Sequence, residues 1–227
     1  MAERGTVIII GGHGKIALLA APKLADAGYD VRSLIRNPEH ADDVRAAGAQ
    51  PVLLDIESAG TAALEEAFAG AEAVVFSAGA GGGSPERTKA VDQDAAIRSM
   101  EAAQQAGVAR YVMVSYARSE TDIRTLDPES SFYPYAAAKH HADNHLRGTS
   151  LDYTILGPGK LTQGPASGKV RVVDVDEAAA AQESPEAVAA SRENVAEAIR
   201  HVLTQQAAVR ETVNFFDGET PLPEAIR

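Results

Sequence analysis

The sequence predicts an α/β fold, a doubly wound parallel sheet with helices on both faces, and three observations support this prediction. Strand-like apolar runs alternate with helical runs as far as Leu156. Several of the strand-like runs are continuously apolar, which is typical of strands covered on both faces. Glycines that can end a helix follow four of the helical runs, at Gly28, Gly48, Gly70 and Gly107. A β-α-β-α order of this kind gives parallel strands joined by right-handed crossovers.

The individual elements follow from the same patterns. Strands are predicted at Thr6–Ile10, Asp30–Ile35, Gln50–Leu54, Ala73–Ser77, Arg110–Val114 and Tyr153–Leu156. Helices are predicted at Lys15–Ala27, Glu39–Ala47, Ala62–Phe68, Thr88–Ala106, Pro134–Arg147 and Arg192–Leu203. After Leu156 the alternation is lost, and we expect only a short strand at Lys169–Val173 and a late strand at Glu211–Phe216. The chain is therefore expected to form a single domain over residues 1–227, with 157–227 as a small C-terminal annex woven onto the sheet.

Composition excludes several classes of function. The formal net charge is −11 and no basic face is evident, so we expect no nucleic-acid partner. The absence of cysteine excludes disulfides and thiolate metal sites, and it fits a cytoplasmic location. The first apolar run, Val7–Ile10, is too short for a signal peptide, and no stretch approaches the length of a membrane span. A small-molecule partner remains, and the sequence leaves both a monomer and a homodimer open.

A glycine-rich turn near the N-terminus is the strongest functional signal. The first strand leads directly into Gly11-Gly12-His13-Gly14-Lys15-Ile16-Ala17 and then into a helix. Gly11 permits a tight turn, Gly14 lets the backbone approach a pyrophosphate, and Ala17 lets the helix pack closely on the strand. The N-terminal end of the helix then attracts phosphate. This pattern predicts a dinucleotide site, the alternative being a plain glycine turn that binds no nucleotide.

The end of the second strand indicates which dinucleotide is bound. In a Rossmann-type fold that prefers NAD, an acidic residue at this point binds the ribose 2′-hydroxyl. Here Arg36 stands in that place, and Lys15 in the glycine turn could add a second cation. Because a guanidinium suits a 2′-phosphate, the sequence favours NADP(H) over NAD(H). The alternative is that both residues are ordinary solvated surface cations.

Three polar residues could carry catalysis. Ser115 ends the fifth strand, and Tyr135 and Lys139 are four residues apart on the next helix, so they share one helical face. A nearby ammonium would lower the pKa of the tyrosine and make its hydroxyl a proton donor, while the serine hydroxyl could hold the substrate oxygen. The alternative is that the run Tyr133-Pro134-Tyr135 only covers the start of a helix.

Two other features have more than one interpretation. His141 and His145 have the i, i+4 spacing of a metal-binding pair, but the glutamate of the metalloprotease motif is missing between them. We expect solvated histidines and no metal site. The glycine-rich segment 79–84 follows the fourth strand and is either a mobile connector or a loop beside the cofactor.

Taken together, the motifs resemble the atypical short-chain dehydrogenase/reductase superfamily, in its NAD(P)-binding, NmrA-like and flavin-reductase-like branch. The matching segments are Gly11 to Ala17, Leu34 to Pro38, Val52 to Ile56, Tyr111 to Ser115, Tyr135 to Asp143, Leu151 to Leu156, Pro158 to Thr162, Arg192 to Ala196 and Asp217 to Pro221. The resemblance therefore spans nearly the whole chain. It implies a Rossmann-like fold in which residues 157–227 lie on the substrate side.

The resemblance also implies a set of cofactor-binding residues. Asp55 would lie near the adenine, and Ser115, Tyr135 and Lys139 would surround the nicotinamide ribose. The full expected set is Gly11, Gly12, His13, Gly14, Lys15, Ile16, Arg36, Asp55, Ile56, Ser77, Ala78, Gly79, Ser115, Tyr135, Lys139, Pro158, Gly159 and Leu161. One departure is Gly157, which stands where the family commonly has arginine.

The expected activity is that of an NADPH-dependent reductase of a small carbonyl, quinone or flavin-like acceptor. Relatives often lack a working tyrosine, so Tyr135 could hold the cofactor without donating a proton. The alternative function is a non-catalytic, NADP(H)-sensing regulator of the NmrA-like type. A nucleotide-sugar epimerase is a weaker third possibility, because the annex after Leu156 is short.

Overall fold

The computed structural model describes residues 4–82, 84–181 and 188–227. The strands are β1 (Thr6–Ile10), β2 (Asp30–Ile35), β3 (Gln50–Leu53), β4 (Ala71–Phe76), β5 (Arg110–Val114), β6 (Asp152–Pro158), β7 (Lys160–Thr162), β8 (Lys169–Val173), β9 (Ala189–Ser191), β10 (Glu211–Asp217) and β11 (Thr220–Pro221). The helices are α1 (Lys15–Asp26), α2 (Ala41–Ala46), α3 (Thr61–Phe68), α4 (Pro85–Thr88), α5 (Ala96–Gln105), α6 (Tyr133–Arg147), α7 (Val175–Ala180), α8 (Arg192–Thr204) and α9 (Leu222–Ala225). A π-helical segment, Lys89–Ala95, joins α4 to α5, and 3-10 turns lie at Pro38–His40 and Ile123–Thr125.

The main sheet has the strand order β11-β8-β10-β6-β5-β4-β1-β2-β3. From β3 to β10 all neighbouring strands are parallel, whereas β8 is antiparallel to both β10 and β11. The chain winds outwards from β1 to β3 and then returns to β4 on the other side of β1. The order therefore reverses between β1 and β4, which is where ligands bind in open α/β sheets. The predicted α/β, doubly wound, Rossmann-like fold is confirmed.

The central strand β1 shows why the sheet is covered on both faces. Successive side chains of a strand point to opposite faces, and all four residues from Val7 to Ile10 are buried. Val7 and Ile9 pack into the core formed with α1, α2 and α8, while Ile8 and Ile10 pack into the core formed with α3, α5 and α6. A continuous apolar strand thus supplies two cores, and the carboxyl edge of the sheet stays open between the helix layers.

The element boundaries differ from the sequence prediction at one informative place. The single helix predicted at Thr88–Ala106 begins earlier, at Pro85, where the Ser84 side chain accepts a hydrogen bond from the Arg87 amide. It then passes through the π-helical segment before α5. The wider π-helical turn holds Asp92, a buried acid on an otherwise apolar face. Such segments are frequent at functional sites because they re-aim side chains without ending the helix.

The C-terminal residues contribute to two parts of the structure. Strand β10 pairs with β6 in the main sheet, and α8 packs beside α1 in the same core. Strands β7 and β9 form a separate two-stranded parallel sheet. The division into a domain and an annex over 157–227 therefore stays a prediction.

None of the helices in the described part of the chain has both the length and the apolar character needed to cross a membrane.

A buried arginine ties this C-terminal part to the sheet. Arg110 begins β5, and burial lowers its pKa to about 10. Its guanidinium donates hydrogen bonds to the carbonyls of Asp152, Val202 and Ala207 and to the Thr154 hydroxyl, at 2.7–3.2 Å. One side chain thereby satisfies backbone groups of β6, of α8 and of the turn before β10.

Replacing this guanidinium should destabilise the protein. We expect Arg110→Met to lower the free energy of unfolding by about 3 kcal/mol, because buried carbonyls lose their donors. Urea denaturation measures the change. The control is Arg124→Met, since Arg124 is exposed and bonds only the neighbouring Asp122. Equal stability of the two variants would contradict the role of Arg110.

Candidate functional site

The glycine turn between β1 and α1 is compact because two other backbone segments press against it. Gly11 has φ +82°, and a Cβ there would lie 2.6 Å from the Cα of Ala78. A Cβ on Gly12 would collide with the side chain of Ser33. The Gly14 amide donates to the Gly11 carbonyl at 2.8 Å, and Gly14 is the residue that precedes α1. The turn thus leaves the N-terminal end of a 12-residue helix uncovered by side chains.

A cavity of 330 Å³ lies against this turn, and we call it the glycine-turn cavity. It is lined by Gly11, His13, Gly14, Ile35, Arg36, His40, Leu54, Asp55, Ile56, Glu57, Ser77, Ala78, Gly79, Ala80, Gly81, Arg87 and Val91. The cavity thus brings together the expected cofactor residues of β1, β2, β3 and β4. Gly12 does not line the cavity, and instead packs against Ser33 of β2.

The charged residues of the glycine-turn cavity are arranged around one glutamate. Arg87 contacts the Glu57 carboxylate at 3.3 Å and also donates to the Ala80 carbonyl at 2.7 Å. Arg36 lies further from Glu57, at 3.9 Å, and 58 % of its side chain is exposed. The rings of His13 and His40 stack at 3.6 Å on the same cavity. Arg36 is therefore held loosely enough to bind an anionic ligand.

Lys15 is placed differently from the expectation that it would add a second cation. It is exposed and lines none of the cavities described here. Arg87, which the sequence analysis did not select, is the second arginine of the glycine-turn cavity. Arg87 lies in the first turn of α4, where its amide donates to the side chain of the N-cap residue Ser84.

The loop after β4 is pinned beside the cavity. The amide of Ala80 donates to the Asp92 carboxylate at 2.9 Å, and Arg87 binds the Ala80 carbonyl. Burial raises the pKa of Asp92, while the charge of Lys139 opposes this shift. Ala80, in segment 79–84, is therefore held by hydrogen bonds beside the glycine-turn cavity, and the role of the segment toward a cofactor stays a prediction. Gly83 lies outside the described residues.

A second cavity of 440 Å³, which we call the central cavity, continues from the glycine-turn cavity. It is lined by Ile16, Ser77, Ala78, Gly79, Ala80, Gly81, Gly82, Pro85, Thr88, Asp92, Val114, Ser115, Ser131, Phe132, Pro134, Tyr135, Lys139 and Leu161. The expected catalytic residues Ser115, Tyr135 and Lys139 thus lie together on one cavity. Segment 77–81 is shared with the glycine-turn cavity.

Lys139 does not have the electrostatic effect that the sequence predicts. Its ammonium is buried and donates to the Val114 carbonyl at 2.8 Å. Burial, followed by the nearby carboxylates of Asp92 and Asp143, raises the pKa of the Tyr135 hydroxyl well above its usual range. The expectation that Lys139 lowers this pKa is wrong, because the ammonium is turned to the end of β5 and two acids lie near the phenol. The Tyr135 hydroxyl is therefore protonated at neutral pH.

Ser115 is held by a buried acid that the sequence analysis did not select. Its hydroxyl donates to Asp143 Oδ2 at 2.6 Å, and Asp143 is fully buried one turn after Lys139 on α6. The other carboxylate oxygen, Oδ1, has no hydrogen-bond partner among the residues that the structure describes. Because the serine proton points to Asp143, the Ser115 oxygen is an acceptor toward the cavity. The sequence could have indicated this acid, because Asp143 lies four residues after Lys139 and therefore on the same face of the helix.

The third cavity, of 530 Å³, lies between the end of the main sheet and the small β7–β9 sheet, and we call it the aromatic cavity. The rings of Tyr116, Phe132 and Tyr135 lie with their centroids 5.5 Å apart in each pair. The lining consists of Ser115, Tyr116, Ala117, Arg118, Phe132, Tyr135, Pro158, Gly159, Lys160, Leu161, Ala178, Val188 and Phe216. It includes the expected Pro158, Gly159 and Leu161.

Two glycines explain how the chain passes between the sheets. A Cβ on Gly159 would collide with the Val188 carbonyl and the Phe216 ring, so β7 could not approach β9. A Cβ on Gly157 would collide with Asn214 Oδ1. The position where the family commonly carries arginine therefore has no room for a side chain here.

The histidines on α6 do not form a metal site among the described residues. His141 is exposed, and these residues include no group of three or more His, Cys, Asp or Glu placed to bind a metal ion.

Comparison with known proteins agrees with this architecture. A family model described as NAD(P)H-binding matches residues 11–206. YhfK of Bacillus subtilis, described as an uncharacterized sugar epimerase, is 30% identical over 97% of this chain and 98% of its own. The UPF0659 protein YMR090W of Saccharomyces cerevisiae is 32% identical over 97% of each chain. The structure of a Bacillus halodurans protein described as an NAD-dependent epimerase/dehydratase is 30% identical, with a TM-score of 0.84 over 96% of this chain and 97% of that one.

The Ser115–Asp143 hydrogen bond should be measurable in a double-mutant cycle. We expect Ser115→Ala to lower the free energy of unfolding by about 1–3 kcal/mol, because the buried Asp143 carboxylate loses its donor. In the background of Asp143→Asn the same serine substitution should cost less, since no charge is then left unpaired. Chemical denaturation of the four proteins gives the coupling free energy. Additive effects would contradict a specific bond between these residues.

Proposed function

The chain belongs to the NAD(P)H-binding family, and from this membership we propose that it is an NADPH-dependent oxidoreductase. It would transfer hydride to a small carbonyl, quinone or flavin-like acceptor. The observation that carries the proposal is the continuity of three cavities along the carboxyl edge of the sheet. The central cavity shares Ser77 to Gly81 with the glycine-turn cavity, and it shares Ser115, Phe132, Tyr135 and Leu161 with the aromatic cavity. An extended dinucleotide and a separate acceptor both have room there.

The residues of the glycine-turn cavity fit a dinucleotide. The turn at Gly11 and Gly14 exposes backbone, and the N-terminal end of α1 attracts a diphosphate. Asp55 and Ile56 line the same cavity and would lie beside the adenosine. When bound, the cofactor supplies a hydride from its reduced nicotinamide ring. The neighbouring central cavity, with Ser115, Tyr135 and Lys139, would receive that end of the molecule.

The roles of the polar residues follow from their hydrogen bonds. Tyr135, which is protonated at neutral pH, would donate its proton to the acceptor oxygen while the acceptor carbon takes the hydride. Ser115 would accept a hydrogen bond, from the ribose or from an acceptor hydroxyl, because its own proton is given to Asp143. Lys139, bound to the Val114 carbonyl, would hold the end of β5 and balance the two nearby acids. Pro158, Gly159 and Leu161 would exclude water from the reacting atoms.

The preference for NADPH rests on Arg36. Its side chain is half-exposed on the glycine-turn cavity and is held only at 3.9 Å by Glu57. A 2′-phosphate could bind it with charge-assisted hydrogen bonds. His40 and Arg87 line the same cavity and would add to the attraction.

The oxidoreductase proposal is tested by binding and turnover together. We expect the fluorescence of NADPH to change when it binds the protein. The absorbance of NADPH should then fall when an aldehyde, quinone or flavin is added as the acceptor. Tyr135→Phe should lower the turnover rate on the order of a hundredfold through loss of the proton donor. Tyr133→Phe is the control, since Tyr133 lines none of the three cavities.

The outcomes of this test are distinct. Tight NADPH binding without turnover of any acceptor would contradict the reductase and favour the alternative NADP(H)-sensing regulator. A lack of affinity for both dinucleotides would contradict both. Full activity of Tyr135→Phe would remove Tyr135 as the proton donor and favour direct hydride transfer to a flavin-like acceptor.

Cofactor preference is tested at Arg36. We expect Arg36→Asp to weaken NADPH binding by about tenfold or more relative to NADH, because the charge-assisted bonds to the 2′-phosphate are lost and a repulsion replaces them. Dissociation constants from NAD(P)H fluorescence give the ratio. Arg45→Asp is the matched control, since Arg45 lies on α2 outside the cavity and pairs with Asp42. An unchanged NADPH-to-NADH ratio in Arg36→Asp would contradict the assignment.

A further inference from the structure

Among the described residues, the charged side chains that line the aromatic cavity have the opposite sign to the net charge of the protein. The chain has a formal net charge of −11. The described residues that line this cavity nevertheless include two cations, Arg118 and Lys160, and no aspartate or glutamate. Neither cation forms a salt bridge within residues 4–82, 84–181 and 188–227. A positive lining in an acidic protein points to an anionic ligand.

The backbone of Arg118 is strained. Its φ is +122°, a value that L side chains rarely adopt. The residue is the third of a tight turn closed by a hydrogen bond of 3.1 Å from the Ser119 amide to the Tyr116 carbonyl, a position that glycine commonly occupies when φ is positive. Strain of this kind is concentrated at ligand-binding positions, where the side chain is needed despite its cost.

The guanidinium of Arg118 is not explained by a structural contact. The closest acid along the chain, Glu120, accepts a hydrogen bond from Asn214 at 3.0 Å and contacts Arg147 at 3.6 Å. In the part of the chain that the structure describes, the Arg118 side chain has no hydrogen-bond partner among protein groups. Its strained position therefore has no evident purpose within the fold.

The walls of the cavity indicate the rest of the ligand. Tyr116, Phe132 and Tyr135 form a cluster of rings, and burial raises the pKa of Tyr116 to about 12, so that its hydroxyl is neutral. Aromatic rings of this arrangement stack on or meet the edge of a planar aromatic ligand. Ser115 and Tyr135 lie where this cavity meets the central one, whereas Arg118 and Lys160 line only the aromatic cavity.

We propose that the aromatic cavity binds an aromatic acceptor that carries a carboxylate, sulfonate or phosphate group, with the acid group on Arg118 and Lys160. The reducible group of the acceptor then points to Ser115 and Tyr135. This assignment rests on the proposed oxidoreductase function, and it names the class of acceptor for the same site. The two cations act on specificity, because they bind a part of the acceptor that does not react.

The test compares pairs of acceptors in which one member carries a charged acid group and the other does not. One pair is 4-carboxybenzaldehyde and its methyl ester, and a second is flavin mononucleotide and riboflavin. We expect kcat/KM with NADPH to favour the charged member of a pair by about tenfold, since charge-assisted hydrogen bonds are added. The preference should weaken at high salt, because both cations are reached by solvent.

Variants of the two cations distinguish a role in binding the acceptor from a role in stabilising the fold. Arg118→Gly and Lys160→Gln should each reduce the preference at least severalfold, chiefly through KM. Arg118→Gly should also leave the melting temperature unchanged or raised, because glycine adopts a positive φ without strain. A merely structural arginine would instead lower it.

The matched control is Arg210→Gly. Arg210 also has a positive φ, +63°, but its guanidinium donates to the carbonyls of Thr149 and Leu151 away from the cavity. This variant should keep the preference for charged acceptors and lose stability. Loss of the preference in Arg210→Gly to the same degree as in Arg118→Gly would contradict a local role for Arg118.

A binding measurement tests the anion site independently of the proposed oxidoreductase activity. Calorimetry with flavin mononucleotide and riboflavin, in the presence of NADP⁺, needs no turnover. Tighter binding of the phosphorylated flavin, lost in Arg118→Gly, would support the anion site even if no acceptor is reduced. Two results would overturn the anion site while leaving NADPH binding and reductase activity intact. One is equal binding and equal kcat/KM for the two members of each pair. The other is a preference for the charged member that is unchanged in both Arg118→Gly and Lys160→Gln.

Discussion

The close approach of three backbone segments at the end of β1 is the constraint on which the rest of the site depends. The turn after β1, the end of β2 and the loop after β4 meet where Gly11 faces Ala78 and Gly12 faces Ser33. Any Cβ at these two glycines would push the segments apart. Because they stay together, the N-terminal end of α1 points into the gap at the carboxyl edge of the sheet, and the three cavities can join.

Buried polar groups maintain the part of the site that follows. Asp92 holds the Ala80 amide, Lys139 holds the Val114 carbonyl, and Asp143 holds the Ser115 hydroxyl. Burying charges is costly unless each is paired or hydrogen-bonded, and each of these three groups has such a partner at the carboxyl edge of the sheet. Burial raises the pKa of the Tyr135 hydroxyl, and two of these groups, Asp92 and Asp143, raise it further.

The small β7–β9 sheet closes the site from the other side. Asp217 at the end of β10 accepts hydrogen bonds from the Ser191 amide and the Asn194 side chain, and Arg192 donates to the carbonyls of Leu161 and Thr162. These contacts hold β7 and β9 over the carboxyl edge. The aromatic cavity therefore has one wall from the main sheet and one from the β7–β9 sheet.

The sequence by itself determined the doubly wound α/β fold, the glycine turn between β1 and α1, and most of the expected site residues that line the glycine-turn and central cavities. These features depend on local patterns: continuous apolar strands, glycines at turns and a helical spacing between Tyr135 and Lys139. Tertiary structure alone decided where Lys139 directs its ammonium, that Asp143 and not the substrate takes the Ser115 proton, and that Arg87, Asp92 and Arg118 reach the site. The physical reason is that pKa values and hydrogen-bond partners depend on groups far apart in the chain, which spacing along one helix or strand does not specify.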